Sequence, residues 1–286
     1  LYYHFHISLS IYYSMKSLHY LLFFVCVFST SYATVILSED FDSYTLGQDL
    51  VSDNNTYTIR NKGVGGTATA STIGAGNSLL FGGSNSGSAA LFHVDYGQEY
   101  GVTTNKFSFK TSGIANGDFA FWEGEASSQG GTALNGNSTF SSNDVSWLIM
   151  YDTSQNRLEY RGSSWSGITD SPVLVDDTQY DVHIVANNTE ESVLYGDRLL
   201  AGDSMDFYLN GDLIAGNLAI RGSELSSGFK FYQVGTGTEP HLTIEFDNHQ
   251  VFDEAIAVTP VPEASSFAVI SGLFGATFAL LRRRRS

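Results

Sequence analysis

The stretch Asp206-Phe207-Tyr208-Leu209-Asn210-Gly211-Asp212-Leu213-Ile214-Ala215 decides the fold. Two short apolar-rich runs flank Asn-Gly, the dipeptide that accepts positive φ at both positions most readily. The segment therefore predicts two antiparallel strands joined by a two-residue turn. Working outward, period-2 alternation recurs in Lys106–Lys110, Asp118–Trp122, Val145–Tyr151, Tyr180–Ala186, Met205–Leu209, Phe229–Val234 and Leu242–Phe246. A second hairpin is expected from Trp147–Tyr151 to Arg157–Arg161 through Asp152-Thr153-Ser154-Gln155-Asn156. Helical periodicity is absent from residues 34–259, with at most a short helical turn over Arg221–Ser226. Repeated short strands without βα alternation predict one all-β domain, an antiparallel sandwich.

Composition agrees with that reading. Of 286 residues, 42% are hydrophobic and 15% charged, enough apolar material for a sizeable core and too little charge for a disordered tail. The 29 glycines against 4 prolines suit many tight turns. The net charge of −16 argues against nucleic acid as a partner, because a phosphate-binding surface needs a basic footprint. The single cysteine, Cys26, excludes a disulfide framework and a thiolate zinc site.

Both ends read as targeting signals. From Met15, Lys16 supplies a positive n-region, Leu21–Phe28 an apolar run and Ser31-Tyr32-Ala33 a small-x-small site, so residues 15–33 are expected to be a signal peptide removed by signal peptidase. The competing readings, a buried strand or a first membrane anchor, are disfavoured because the apolar run is short for a hydrocarbon core of ~30 Å. Residues 1–14 read as upstream sequence ahead of the true start. At the other end, Val261-Pro262-Glu263-Ala264 leads into an uncharged run, Ala264–Leu281, then Arg282-Arg283-Arg284-Arg285 and Ser286. Eighteen helical residues rise ~27 Å, enough to span a bilayer, and the arginines would hold that end in the cytoplasm. Pro262 restricts Val261 to an extended conformation, the form a peptidase can bind. Residues 34–259 then carry nine Lys and Arg against 29 Asp and Glu, a net −20.

The tail, residues 260–286, resembles the PEP-CTERM sorting signal of bacterial exported proteins, with a motif at 261–264, a transmembrane helix at 264–281 and an arginine cluster at 282–285. Ala264 replaces the second proline of that motif. The resemblance implies recognition and removal by an exosortase, transient anchoring in the inner membrane, and a bacterium with an outer membrane and extracellular polysaccharide. An ordinary membrane anchor is the alternative. The order of strands in the body resembles a concanavalin A-like, laminin-G-type jelly roll. The matching segments are Leu37–Tyr44 with Gly47, Gln179–Asn187, Asp206–Ile214 and Ile244–Phe252. Jelly rolls of this class often tie first and last strands with Ca²⁺, so the resemblance implies a structural calcium site from Glu39, Asp40 and Asp42 with Asp247.

Catalytic signals are sparse. His93, His183, His241 and His249 are the histidines of the body, and no serine sits in a Gly-x-Ser-x-Gly elbow. Glu123 and Glu125 would share one strand face ~7 Å apart, compatible with a glycosidase pair. The laminarinase-like pattern of this fold is nevertheless broken by Ala126-Ser127-Ser128. Arg221-Gly222-Ser223-Glu224-Leu225 and Phe229-Lys230-Phe231-Tyr232-Gln233 resemble motifs of alginate-lyase-type jelly rolls, in the wrong order for that family. For glycan binding, Trp165 in a polar Ser/Gly loop is the expected aromatic platform, whereas Trp122 and Trp147 are expected in the core. The expected function is a non-enzymatic, exosortase-sorted protein of the cell surface or extracellular matrix with a glycan-binding or structural sandwich, its partner the extracellular polysaccharide. A carbohydrate-active enzyme, glycosidase or polysaccharide lyase, is the alternative, and a ligand-free adhesion spacer the third.

Overall fold

The computed structural model describes residues 33–48, 58–60, 67–70, 72–73, 75–82, 89–131, 134, 144–222, 224–235 and 240–258. The segment expected to be a signal peptide, up to residue 32, the motif Val261-Pro262-Glu263, the apolar run and the arginine cluster lie outside them. Among the described residues no helix is long and apolar enough to cross a membrane.

Two antiparallel sheets make up the body. The first runs, in spatial order, β15 (Asp212–Ala219), β14 (Ser204–Leu209), β11 (Gln179–Asn187), β6 (Val102–Ser112), β17 (Thr243–Phe252), β4 (Asn77–Gly82) and β3 (Thr67–Ala70). β1 (Val35–Glu39) also pairs with β17, so β1 and β4 lie end to end along its one edge while β6 takes the other. The second sheet runs β10 (Trp165–Gly167), β9 (Arg157–Arg161), β8 (Val145–Asp152), β7 (Gly117–Gly124), β16 (Ser226–Gly235), β5 (Ala89–Tyr100) and β2 (Thr58–Arg60). A small ribbon, β12 (Val193–Tyr195) with β13 (Arg198–Leu200), stands apart. The helical content described is two 3₁₀ turns, Ile114–Asn116 and Ser127–Gln129.

The all-β antiparallel architecture is as the sequence predicts. Both hairpins form. Asn210 and Gly211 have φ of 55° and 89°, the left-handed pair that a two-residue turn matching strand twist requires, and Leu209 stands opposite Asp212. β8 turns into β9 through residues 153–156. The expected helical turn at Arg221–Ser226 is not found: no described residue there is helical, and β16 begins at Ser226.

Alternation dictates what each strand buries. Phe107 and Phe109 of β6, Ile184 and Phe207 of β11 and β14, and Ile244 and Phe246 of β17 face Phe92, Phe119, Phe121, Ile149, Phe229 and Phe231 of the second sheet. The result is a mid-plane dominated by phenylalanine. Phe231 lies at its centre, with ring centroids within 6.2 Å of Phe81, Phe92, Phe107, Phe109, Phe119, Phe121 and Phe246. Trp147 is in this core, as expected. Trp122 is buried too, but on the opposite face of its sheet, with Leu91, Ala120, Val145, Leu148 and Tyr232.

Candidate functional site

Hydrogen-bond register builds the site on the outer face of the first sheet. Lys106 of β6 stands opposite His183 of β11 on one side and Gln250 of β17 on the other; Ser108 likewise stands between Asp181 and Asp247. Inward residues of the same strands, Phe107 and Val182, are core, so these polar rows face outward. At Asn248 (φ 55°) an extra residue in β17 bends the strand and turns an exposed amide toward the rows. The Asn210-Gly211 turn closes one end. It is fixed to β11 by Asp181 N–H donating to Asn210 Oδ1 at 2.9 Å and Asn210 N–H donating to Asp181 O at 2.8 Å. Together these residues line a cleft of about 320 Å³.

The segment after β17 crosses this face as a strap. Thr104 Oγ1 donates to Glu254 O (2.6 Å) and accepts from Ile256 N–H (2.9 Å). Ala255, Ala257 and Val258 pack on Val185, Tyr195, Leu200 and Tyr208. Val258 and Gly211 border both the first cleft and a second one of about 250 Å³, walled by Tyr195, Arg198 and Tyr208. Beneath the second cleft, buried Asp206 accepts hydrogen bonds from Tyr195 Oη, Arg198 Nε (2.7 Å) and Asn217 N–H (2.7 Å). Burial, then the hydrogen bonds to Asp206 and Tyr208, pushes the Tyr195 hydroxyl up from the ordinary tyrosine range.

His183 donates Nε2–H to the Ile256 carbonyl at 2.9 Å, which fixes its tautomer. Burial, and secondarily the charge of Lys106, holds it down at about 4, while burial alone holds His249, in the interior, at about 3. Both lie below the ordinary 6.5, so below that pH the unfolded chain binds protons the folded chain refuses. Stability is then complete above about pH 7 and falls as pH drops from 6.5 toward 4 and 3. Each histidine should remove about 2 kcal/mol by pH 5. Urea unfolding at pH 7 and pH 5 checks this. His183→Gln, which keeps a donor for Ile256, should reduce the difference, and equal stability at the two pH values would contradict it.

The residues singled out from the sequence fare differently. Glu123 is not a surface acid: it is fully buried between the sheets, with Phe119 and Phe121 on the same face of β7. It accepts from Tyr96 Oη (2.7 Å), Thr103 Oγ1 (2.6 Å), Asn105 Nδ2 (2.5 Å) and Trp147 Nε1 (2.8 Å). Glu125 lies past the end of β7, beyond a register shift at Glu123/Gly124, with its N–H on Asp144 O. The expected carboxylate pair on one strand face is therefore corrected: the bulge separates an interior acid from a loop acid. Burial, and then Glu224, Asp144 and Glu99, pushes the Glu125 carboxyl up. The lyase-like segment is divided as well. Lys230 is buried with Nζ 4.8 Å above the Trp122 ring, whereas Gln233 is buried two positions beyond inward-facing Phe231.

Trp165 sits not in a loop but at the start of β10, a three-residue edge strand opposite Arg161, Tyr160 and Glu159. It is half-buried against the cluster around Trp122, and the Arg161 guanidinium lies 5.2 Å from its ring centroid. Glu39 accepts from Phe41 N–H (2.8 Å) and Tyr44 Oη (3.3 Å), and burial pushes its carboxyl up. Asp40 accepts from Asp42 N–H (3.1 Å), Asp42 from Asn77 N–H (2.7 Å), and Asp247 from Asn248 N–H (2.7 Å). First and last strands do pair, but Glu39 stands opposite His249 rather than Asp247. Among the described residues no three His, Cys, Asp or Glu side chains gather as a metal ion requires.

The chain matches no family model, and no curated protein matches it in sequence. Similarity to solved structures is found in fold. The carbohydrate recognition domain of Emp46p, in its metal-free form, aligns with a TM-score of 0.50 at 11% identity, over 77% of this chain and 98% of that one. The binding domain of botulinum neurotoxin DC in complex with SialylT aligns with a TM-score of 0.46 at 15% identity, over 78% of this chain and 48% of that one. The chain thus spans about half the length of the neurotoxin structure. The body is an all-β antiparallel sandwich, and the likeness is one of fold.

Proposed function

We propose that the body is a non-catalytic glycan-binding module of an exported surface protein. The observation that carries this reading is the cleft on the outer sheet face, where Ser108, Asp181, Asn210, Asn248 and Gln250 converge. Planar amides, a carboxylate and a hydroxyl offer donors and acceptors in the mixture that sugar hydroxyls match. The fold that serves Emp46p as a carbohydrate recognition domain is in keeping with it. Interior hydrogen bonding of Glu123 weighs against the glycosidase reading. Export and sorting rest on the ends of the sequence: signal peptidase would cut after Ala33, and an exosortase would remove the tail near Val261-Pro262-Glu263 at the outer surface of the inner membrane.

The test is saturable binding of the full chain, in mild detergent, to extracellular polysaccharide from its own host. Gln250→Ala removes an exposed amide and should weaken binding about five- to tenfold, the ~1 kcal/mol of a typical hydrogen bond, without changing stability. No binding to any fraction, or binding indifferent to Gln250→Ala, would sink the reading of this cleft. Intact mass of the protein recovered from the cell surface tests sorting. Retention of Ala264–Ser286 there would leave a plain membrane anchor.

A further inference from the structure

The cleft contains one group that sugar hydroxyls alone do not explain. In a body with 29 acids and nine cations, most lysines and arginines on the sheet should find a carboxylate. On the outer face of the first sheet Lys110 has Glu245 at 3.8 Å, and Arg198 reaches from the β12–β13 ribbon to Asp206 of β14 at 2.7 Å. Lys106 lies four residues before Lys110 on the same face of β6, half-buried, and no described carboxylate pairs with it. Its neighbours are the Phe252 ring, whose centroid is 5.1 Å from Nζ, and His183, whose Nε2–H is committed to Ile256. A ring face returns only part of what a partly desolvated ammonium loses. Desolvation accordingly lowers the affinity of Lys106 for its proton. The nearby acid, Asp181, already accepts at Oδ1 from Ser108 Oγ and Gln179 Nε2, both at 2.7 Å.

We propose that the ligand is an acidic glycan and that Lys106 holds the carboxylate of one uronate residue, while Gln250, Asn248 and Asn210 bond its hydroxyls. The register supports the arrangement, because Lys106 and Gln250 are cross-strand neighbours and the two amides flank the same row. A uronate sugar presents its carboxylate and ring hydroxyls on one rigid body a few ångströms apart. The carboxylate supplies the charge that Lys106 lacks, and a hydroxyl can donate to Asp181, which a second anionic group could not do. The acidic body as a whole repels a polyanion only weakly beyond a Debye length of about 8 Å at physiological salt. Local pairing in the cleft therefore decides binding.

This inference rests on the glycan-binding reading, and the experiment separates the two. The full chain in mild detergent is titrated with oligogalacturonate and oligomannuronate, each beside its methyl ester, which keeps the sugar and masks the charge. At least one acid should bind ten times or more tighter than its ester. Lys106→Met, an unbranched replacement that can still lie on Phe252, should abolish that preference while leaving ester binding in place. The wild-type preference should also shrink as salt is raised, a readout independent of whether the variant folds. Equal binding of acid and ester, a preference that survives in folded Lys106→Met, or tighter binding of a sulfated glycan than of either uronate would overturn the inference and leave the glycan reading standing. Failure of every probe and of host polysaccharide would remove both.

Discussion

Glu123→Ala should destabilise the domain by about 3–5 kcal/mol, a fall in melting temperature on the order of 10 °C for a body of this size. Four donors converge on this carboxylate, and Asn105 and Trp147 among them are completely buried. Truncation leaves them desolvated and unpaired, which costs more than the bonds themselves contributed. Asn105 also connects outward, its Oδ1 lying 3.2 Å from Nε2 of His249, so the loss propagates along a buried polar chain. Glu123→Gln keeps the shape but turns an amide N–H₂ toward groups that donate, and should fall between the two. Chemical denaturation measures both. A catalytic Glu123 would behave oppositely, leaving a Gln variant as stable as the parent and silent only in turnover.

Phe231→Ala should cost a similar or larger amount, about 3–5 kcal/mol, by a different mechanism. The side chain is fully buried on β16, and the seven rings around it come from both sheets. Each sheet is stiffened by its own ladder and the surrounding rings keep the two sheets spaced, so they cannot collapse onto the void and little of the lost contact is recovered. Phe231→Leu retains most of the volume and should lose roughly 1–1.5 kcal/mol. Equal losses for the two variants in equilibrium unfolding would show that ring geometry, not cavity volume, governs the site.

What the sequence discloses follows from alternation. Strands with one apolar face, such as Phe107-Ser108-Phe109 or Phe229-Lys230-Phe231, announce themselves, and Asn210-Gly211 fixes a hairpin because few other dipeptides accept that backbone. β4 and β5 escape notice, since Ser78 is buried and the exposed run Gly97-Gln98-Glu99 continues β5 without apolar alternation. Glu123 shares the parity of Phe119 and Phe121, so the inward direction was written in the chain, but its charge reads as the end of a strand. β10 is too short for a period to show, and Trp165 joins it only by pairing with Arg161. The polar rows of the cleft were illegible for another reason: Lys106, His183 and Gln250 are far apart in sequence and meet only through register.

The pairing of β1 with β17 has a mechanical consequence. Thr34 N–H donates to Asp253 Oδ1 at 2.7 Å, and Asp253 N–H donates to Thr34 O at 3.2 Å, so the start of β1 and the end of β17 meet at one clasp. Chain arriving at Thr34 and chain leaving after Asp253 share a single corner. A pull between those two points meets the clasp first and opens the β1–β17 ladder bond by bond, as a zipper. A pull on Asp253 against the far side of the sandwich instead drags β17 lengthwise between β6 and its other neighbours, straining many ladder bonds together. Resistance to tension should therefore depend on where the opposing grip lies, soft when both grips are at the corner and stiff when the opposite end is held.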